Sequence, residues 1–313
     1  MKASGHDGTR DATGRHGMLT RRRLWLGASL AAAIQAGWPR LAQASGPAWD
    51  GMAAELARIE AEIGGRLGVA ILDVVSGAGI AHRGTERFPM CSTFKVLACG
   101  AVLARVDTGH EDLGRRICFS REDVVTYSPV TGDRAGGDGM TLADLCEAAM
   151  TRSDNTAGNL ILASLGGPAA VTAFARRLGD GVTRLDRTET GLNEALPGDP
   201  RDTTAPGAMA SNLQALVVGD VLSPKSRSQL AAWLLSNRTG DAKLRADLPP
   251  EWRVGDKTGG GGWGTTNDVA VLWPANHGPL VACVYLTETK ASFDDCNAAI
   301  ASVARAIRTV VGA

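Results

Sequence analysis

Arg87-Phe88-Pro89-Met90-Cys91-Ser92-Thr93-Phe94-Lys95-Val96-Leu97-Ala98-Cys99-Gly100-Ala101-Val102-Leu103 is an apolar run carrying one serine and one lysine three positions apart. The run reads as a buried helix, and residues three apart share a helix face, so the Ser92 hydroxyl and the Lys95 amine are set to meet. Burying an unpaired ammonium is costly and a lowered pKa is the usual escape, which makes Lys95 a chemical group rather than a surface charge. A serine hydroxyl is a poor nucleophile until a base or cation within reach takes its proton. If Ser92 opens the helix, its backbone N–H is also an unpaired donor directed at a developing oxyanion. Outside such a setting, Ser-x-x-Lys is a common tetrapeptide of solvated helix faces.

Further along come Ser153-Asp154-Asn155, then Arg187-Thr188-Glu189-Thr190-Gly191-Leu192-Asn193, then Lys257-Thr258-Gly259. Each has an ordinary reading beside a chemical one. Ser, Asp and Asn all favour helix caps. The Glu189 stretch has the composition of a polar surface loop, yet a carboxylate facing an ester can activate a held water, and the Asn193 amide can fix that water in place. Lys257 and Thr258 close a predicted strand with a cation and a hydroxyl suited to a carboxylate, and Gly259 permits close backbone approach. His82, His110 and His277 lie outside any nucleophile context, so the base falls to Lys95 or to a carboxylate. There is no His-x-His-x-Asp cluster and no cysteine pairing at zinc spacing, so neither a metal nor another cofactor is expected.

Ser-x-x-Lys, Ser-Asp-Asn and Lys-Thr-Gly together are the signature of class A β-lactamases and penicillin-binding proteins. With Glu189 and Asn193 in the pattern Glu-x-x-Leu-Asn, the chain from about Trp49 to its C-terminus resembles a class A serine β-lactamase. The resemblance implies an α/β fold in which a five-stranded antiparallel sheet flanked by helices lies beside an all-helical domain. It implies hydrolysis of penicillins and cephalosporins through a Ser92 acyl-enzyme, and hence antibiotic resistance. Ser153 would relay a proton to the leaving lactam nitrogen, and Glu189 with Asn193 would activate the deacylating water. Asn155, Lys257, Thr258 and the backbone N–H of Gly260 would bind substrate, with Tyr127 at the cleft wall. Whether Lys95 or Glu189 is the base in acylation stays open.

The resemblance also implies structural pairs. Arg187 and Asp202 would fasten the ends of an Ω-shaped loop, with Asp199 as the alternative partner. Some members bridge cysteines placed like Cys99 and Cys146, which gives an expected Cys99–Cys146 disulfide. Cys91 precedes the nucleophile, but the position of its partner in carbapenem-hydrolysing relatives is Gly261 here, so that bridge is not expected. Relatives place an arginine near the substrate carboxylate; at the aligned positions this chain has Lys243 and Asn297. The run Gly260-Gly261-Gly262 suggests a roomy strand edge able to admit bulky cephalosporin side chains.

Thr20-Arg21-Arg22-Arg23-Leu24-Trp25-Leu26, a modest apolar stretch to Ala36 and Ala42-Gln43-Ala44 read as a twin-arginine-like signal peptide over residues 1–44, with Met1 or Met18 as the start. Periplasmic delivery follows as an expectation. The 313-residue chain balances 33 basic against 33 acidic residues; the leader carries seven basic and two acidic, leaving −5 for the remaining 269. That argues against nucleic acid as a partner. No membrane attachment after signal removal is expected, and a monomer acting on small β-lactams is the family default.

Strand patterns near Leu67–Leu72 and Gly79–His82 follow a helix over Ala53–Ile63. Helical signals fill Ser92 to Trp233, and strands return at Arg253–Lys257, Thr266–Trp273 and Leu280–Thr287 before a helix over Asp295–Val311. The expected division is a discontinuous α/β domain, 45–83 with 236–313, around a helical domain, 84–235. Two rival readings share the nucleophile. A D-Ala-D-Ala peptidase ordinarily lacks Glu-x-x-Leu-Asn, and a penicillin-binding sensor usually carries a membrane-spanning transducer, for which no stretch here is long and apolar enough.

Overall fold

The computed structural model describes residues 42–43 and 47–312. The leader and its cleavage site lie outside these residues apart from Ala42–Gln43, which pair in parallel with Ala78 and Gly79. Helix α1 spans Pro47–Ile63, followed by strands β1, Arg66–Asp73, and β2, Ala78–His82. The helical half comprises α2, Phe94–Asp107; α3, Leu142–Thr151; α4, Asn155–Leu165; α5, Pro168–Arg177; α6, Pro206–Leu213; and α7, Pro224–Leu235. Strands β3, Arg253–Gly260, β4, Thr266–Trp273, and β5, Leu280–Thr287, precede helix α8, Phe293–Val311.

The five strands form an antiparallel sheet in the order β2–β1–β5–β4–β3. Successive side chains of a strand point to opposite faces, so a strand covered on both sides is apolar throughout. Leu67, Val69 and Ile71 of β1 and Ala282, Val284 and Leu286 of β5 pack under α1 and α8. Ala70, Leu72, Val281, Cys283 and Tyr285 face the helical half. Gly68 belongs to that second face, where an added Cβ would lie 2.4 Å from the Phe88 ring. Residues 94–103 of α2 are all buried, making it the central helix of that half.

Several details depart from the sequence reading. Ser92 does not open an α-helix: it sits in a 3₁₀ turn, Cys91–Thr93, that leads into α2. Helix α1 starts at Pro47, because proline is tolerated in a first turn whose N–H groups lack intrahelical acceptors. After Leu213 the helix widens into a π turn, Gln214–Val218. Cys99 and Cys146 are not joined by the expected disulfide: both are free, buried thiols in hydrogen-bonding contact between α2 and α3. That contact and burial together push the Cys146 thiol well above its ordinary range. Among the described residues no single helix is long and apolar enough to cross a membrane.

Candidate active site

The 3₁₀ turn delivers Ser92 to the end of α2 and α4, against the edge strand β3. Lys95, one turn on, is fully buried, and its Nζ has four oxygen neighbours. These are Ser92 Oγ at 2.8 Å, Asn155 Oδ1 at 2.8 Å, the Ser153 carbonyl at 2.9 Å and Glu189 Oε1 at 2.9 Å. An ammonium has three protons, which go to Ser92, Ser153 and Asn155, so Glu189 Oε1 meets Lys95 as an ion pair and takes its proton donor elsewhere. Burial lowers the Lys95 pKa, opposed by the Glu189 charge. The Ser92 hydroxyl in turn donates to Glu189 Oε1 at 3.1 Å. Gly158 of α4 makes room for this arrangement, since a Cβ there would lie 2.9 Å from Lys95 Cε.

Glu189 is held at both ends. Its N–H donates to Asn159 Oδ1 and its carbonyl accepts from Asn159 Nδ2, each at 2.8 Å. Asn193 Nδ2 donates to Glu189 Oε2 at 2.6 Å, while Asn193 Oδ1 is buried without a protein partner. The loop carrying Glu189 is closed by Arg187, whose Nε lies 2.6 Å from Asp202 Oδ2. Asp199, the alternative partner, stands 4.0 Å from Arg187 and pairs with Arg201 at 2.7 Å. Glu194 is a second partner of Arg187 that the sequence reading did not include.

Ser153-Asp154-Asn155 divides its labour. Asp154 is the helix cap: its carboxylate accepts from the N–H of Ala157, Val130 and Thr131. Ser153 adopts φ 57°, in the left-handed region rarely used by residues other than glycine. Its hydroxyl accepts from Lys257 Nζ at 2.9 Å, while Asn155 meets Lys95. Lys257 is fully buried on β3, and burial followed by the nearby Lys95 charge lowers its pKa to about 7.

In the cleft wall the hydroxyls of Thr258 and Thr239 meet at 2.6 Å, and Thr239 donates to Asn237 Oδ1 at 2.8 Å. Asn237 Nδ2 donates to Asp256 at 2.6 Å, and Asp256 also accepts from Arg245. Asp268 on β4 is wholly buried with Oδ2 on the Leu244 N–H and Oδ1 unpartnered. Burial and the adjacent Asp256 charge push its carboxyl well above the usual range.

Ser92, Tyr127, Ser153, Asn155, Asn193, Thr258 and Gly260 line one cleft of about 340 Å³. Thus the residues singled out for catalysis and substrate binding come together, with Lys95, Lys257 and Glu189 buried in contact with its walls. Tyr127 is 58% exposed, and its carbonyl accepts the Asn155 N–H at 3.0 Å. The glycine run is not a loose edge. A Cβ on Gly261 would lie 2.7 Å from both the Asn193 carbonyl and Cys91 Sγ, and one on Gly262 would lie 2.5 Å from the Glu194 carbonyl. Only Gly260 has open space, its nearest neighbour being 3.7 Å away.

Sequence reasoning missed Asn159, Thr239 and Phe293. An asparagine inside the apolar helix Asn155–Leu165, four residues after Asn155 and so on the same face, was the available signal for Asn159. For Lys243, the structure shows a buried amine lining the cleft, with Nζ donating to Asn297 Oδ1. Thr239 had no such signal.

The β-lactamase enzyme family model matches residues 51–311. β-Lactamase FAR-1 of Nocardia farcinica is 52% identical over 258 residues, 82% of this chain and 82% of that protein. β-Lactamase OXY-2 of Klebsiella oxytoca is 46% identical over 283 residues, covering 90% and 96%. Among solved structures, an ancestral (GNCA) class A β-lactamase superposes with a TM-score of 0.81 at 62% identity, covering 82% of this chain and 98% of that one.

Proposed function

Because the chain belongs to the β-lactamase enzyme family, as a class A serine enzyme that hydrolyses β-lactams and so gives resistance to them, we propose that Ser92 is its nucleophile and Glu189 the base that empties the acyl-enzyme. Ser92 Oγ attacks the lactam carbonyl carbon, and its proton passes to the Lys95–Glu189 pair. The carbon–nitrogen bond breaks as Ser153 gives its proton to the departing nitrogen. The proton taken from Ser92 is passed on to Ser153 by way of the Lys95 and Lys257 amines, which leaves Glu189 ionised for the second half of the reaction. Glu189 then takes a proton from a water positioned by Asn193, whose Oδ1 is free to accept from it. That water attacks the ester, and Ser92 recovers its proton. The N–H groups of Ser92 and Gly260 receive the carbonyl oxygen, a role worth about 10²–10³ in rate per donor.

Lys257, Thr258 and Lys243 take the substrate carboxylate. Lys243 fills this role rather than Asn297, because Lys243 lines the cleft and Asn297 serves as its hydrogen-bond acceptor. Asn155 and Tyr127 face the acyl side chain, and penicillins and cephalosporins are both substrates. The cleft sits between the helical portion, 84–235, and the α/β portion, 45–83 with 236–313. Every group comes from one chain, which supports activity as a monomer, and the leader directs it to the periplasm through the twin-arginine route.

The observation that carries this reading is the Ser92–Lys95–Glu189 triangle, whose sides are 2.8, 2.9 and 3.1 Å. The test is mass spectrometry of the enzyme mixed with a penicillin, wild type beside Glu189→Ala, with lactam absorbance followed in parallel. Wild type should turn over, while the variant accumulates an adduct on Ser92 and loses about 10²–10⁴ in turnover. A lasting adduct on wild type would point instead to a binding protein or peptidase.

A further inference from the structure

Two aromatic side chains that line the cleft stand largely in water: Tyr127, 58% exposed, and Phe293, 65% exposed. Tyr127 belongs to the Asn155 side through its carbonyl. Phe293 belongs to the other side. It is the first residue of α8, directly after the capping Ser292, and its ring centroid lies 4.6 Å from Lys243 Nζ. Asn297, four residues on and so on the same helix face, holds the same amine through Oδ1. The Lys243 ammonium is buried between these two groups, and most of the Phe293 ring remains open to the cleft mouth. A cation stacked on an aromatic face is attracted by the ring quadrupole, so Lys243 fixes where that ring stands.

We propose that Phe293 is a specificity-determining residue that receives the substituent borne on the ring carbon next to the substrate carboxylate, and that it favours aromatic substituents. The inference rests on the reading that Lys257, Thr258 and Lys243 take the carboxylate. With the carboxylate on Lys243, whatever is attached one or two bonds away comes within contact of a ring 4.6 Å from that amine. In a penicillin the neighbouring carbon bears only methyl groups. In a cephalosporin it bears the variable carbon-3 group, which reaches further and stacks when aromatic. Offset stacking of two aromatic rings adds to the area they bury. Phe293 therefore sorts substrates by their carbon-3 group, independently of the acyl side chain near Asn155 and Tyr127.

The test compares wild type, Phe293→Ala, Phe293→Leu and Lys243→Met on three probes. Two are cephalosporins with one acyl side chain, bearing methyl or an aryl-thiomethyl group at carbon 3; the third is the penicillin with that same side chain. Phe293→Ala should raise KM for the aryl-thiomethyl probe about fivefold to tenfold with kcat unchanged, and shift the other two less than about twofold. Phe293→Leu should fall between. Lys243→Met should raise KM for all three, since all carry the carboxylate. A uniform rise with Phe293→Ala would mean that Phe293 only positions Lys243, and no change would mean no contact; either overturns the proposal. If wild type turned over the probes and Lys243→Met left KM unchanged for all three, the carboxylate reading itself would fall, and the inference with it.

Discussion

The Gly262 N–H donates to the Asn193 carbonyl at 2.9 Å, so the edge of β3 is fastened to the loop that carries the deacylating pair. Between them Gly261 has no room for a side chain, with a virtual Cβ 2.7 Å from the Asn193 backbone oxygen. Backbone cannot rotate aside as a side chain can. Gly261→Ala should therefore push strand and loop apart at a cost of about 1–3 kcal/mol, as overpacking does. Thermal unfolding measures the loss, and a longer-lived Ser92 adduct should accompany it as Asn193 shifts from Glu189. An unchanged adduct lifetime would show that the strand edge and the loop are not coupled.

Lys257 makes the reaction sensitive to pH. Its folded pKa is about 7, below the ordinary lysine value, because burial and Lys95 oppose its charge. A substrate carboxylate needs the ammonium, so KM should rise above pH 7, approaching about tenfold per pH unit where binding requires one proton. The effect on stability has the opposite sense. Between about 7 and the ordinary lysine value the unfolded chain binds more protons than the folded one, so this group's contribution to stability rises with pH across that window. Steady-state kinetics from about pH 6 to 9 would show the KM trend; a flat KM would mean that Lys257 keeps its proton throughout.

Asp268 works in the opposite direction. Its carboxyl is raised well above the usual range by burial and by Asp256. Above the ordinary carboxylate value the unfolded chain has released this proton while the folded one keeps it, so stability falls as pH rises through that window. Asp268→Asn mimics the neutral acid: its carbonyl can accept the Leu244 N–H and its amide can donate toward Asp256. Denaturant unfolding across pH should show the variant gaining on wild type as pH rises. Parallel curves would mean that Asp268 is ionised in both states.

What the sequence conveyed depended on how local the cause was. Ser92 and Lys95 were readable because three positions on a helix are a fixed geometry, and Asn155–Leu165 was readable because Asp154 caps it and Gly166 ends it in the left-handed region. The π turn after Leu213 was not readable, since Gln214–Val218 carries no residue type that marks a wider turn. Spacing alone said nothing of which cysteines meet; the family resemblance put Cys99 beside Cys146, where the structure has them, but implied a disulfide that the structure does not have. Ser292, with Asp295 three residues later, was a visible start signal for α8 that would have put Phe293 at the helix start. That Phe293 borders the cleft depends on the docking of α8 on the sheet, a long-range contact outside any local pattern.

Strand β1 lies between β2 and β5, with Arg66 opposite Thr287. During synthesis β1 therefore has only its hairpin partner until almost the whole chain has emerged. A two-stranded hairpin is marginal alone, and non-local pairings form slowly. Lys257 likewise arrives after the turn bearing Ser92 and the helix following Ser153. Premature termination anywhere before Leu280 should leave an unpaired apolar edge instead of a weakened enzyme, a product suited to aggregation or proteolysis. Nascent chains should therefore acquire resistance to a protease in one late step, at the point where β5 closes the sheet.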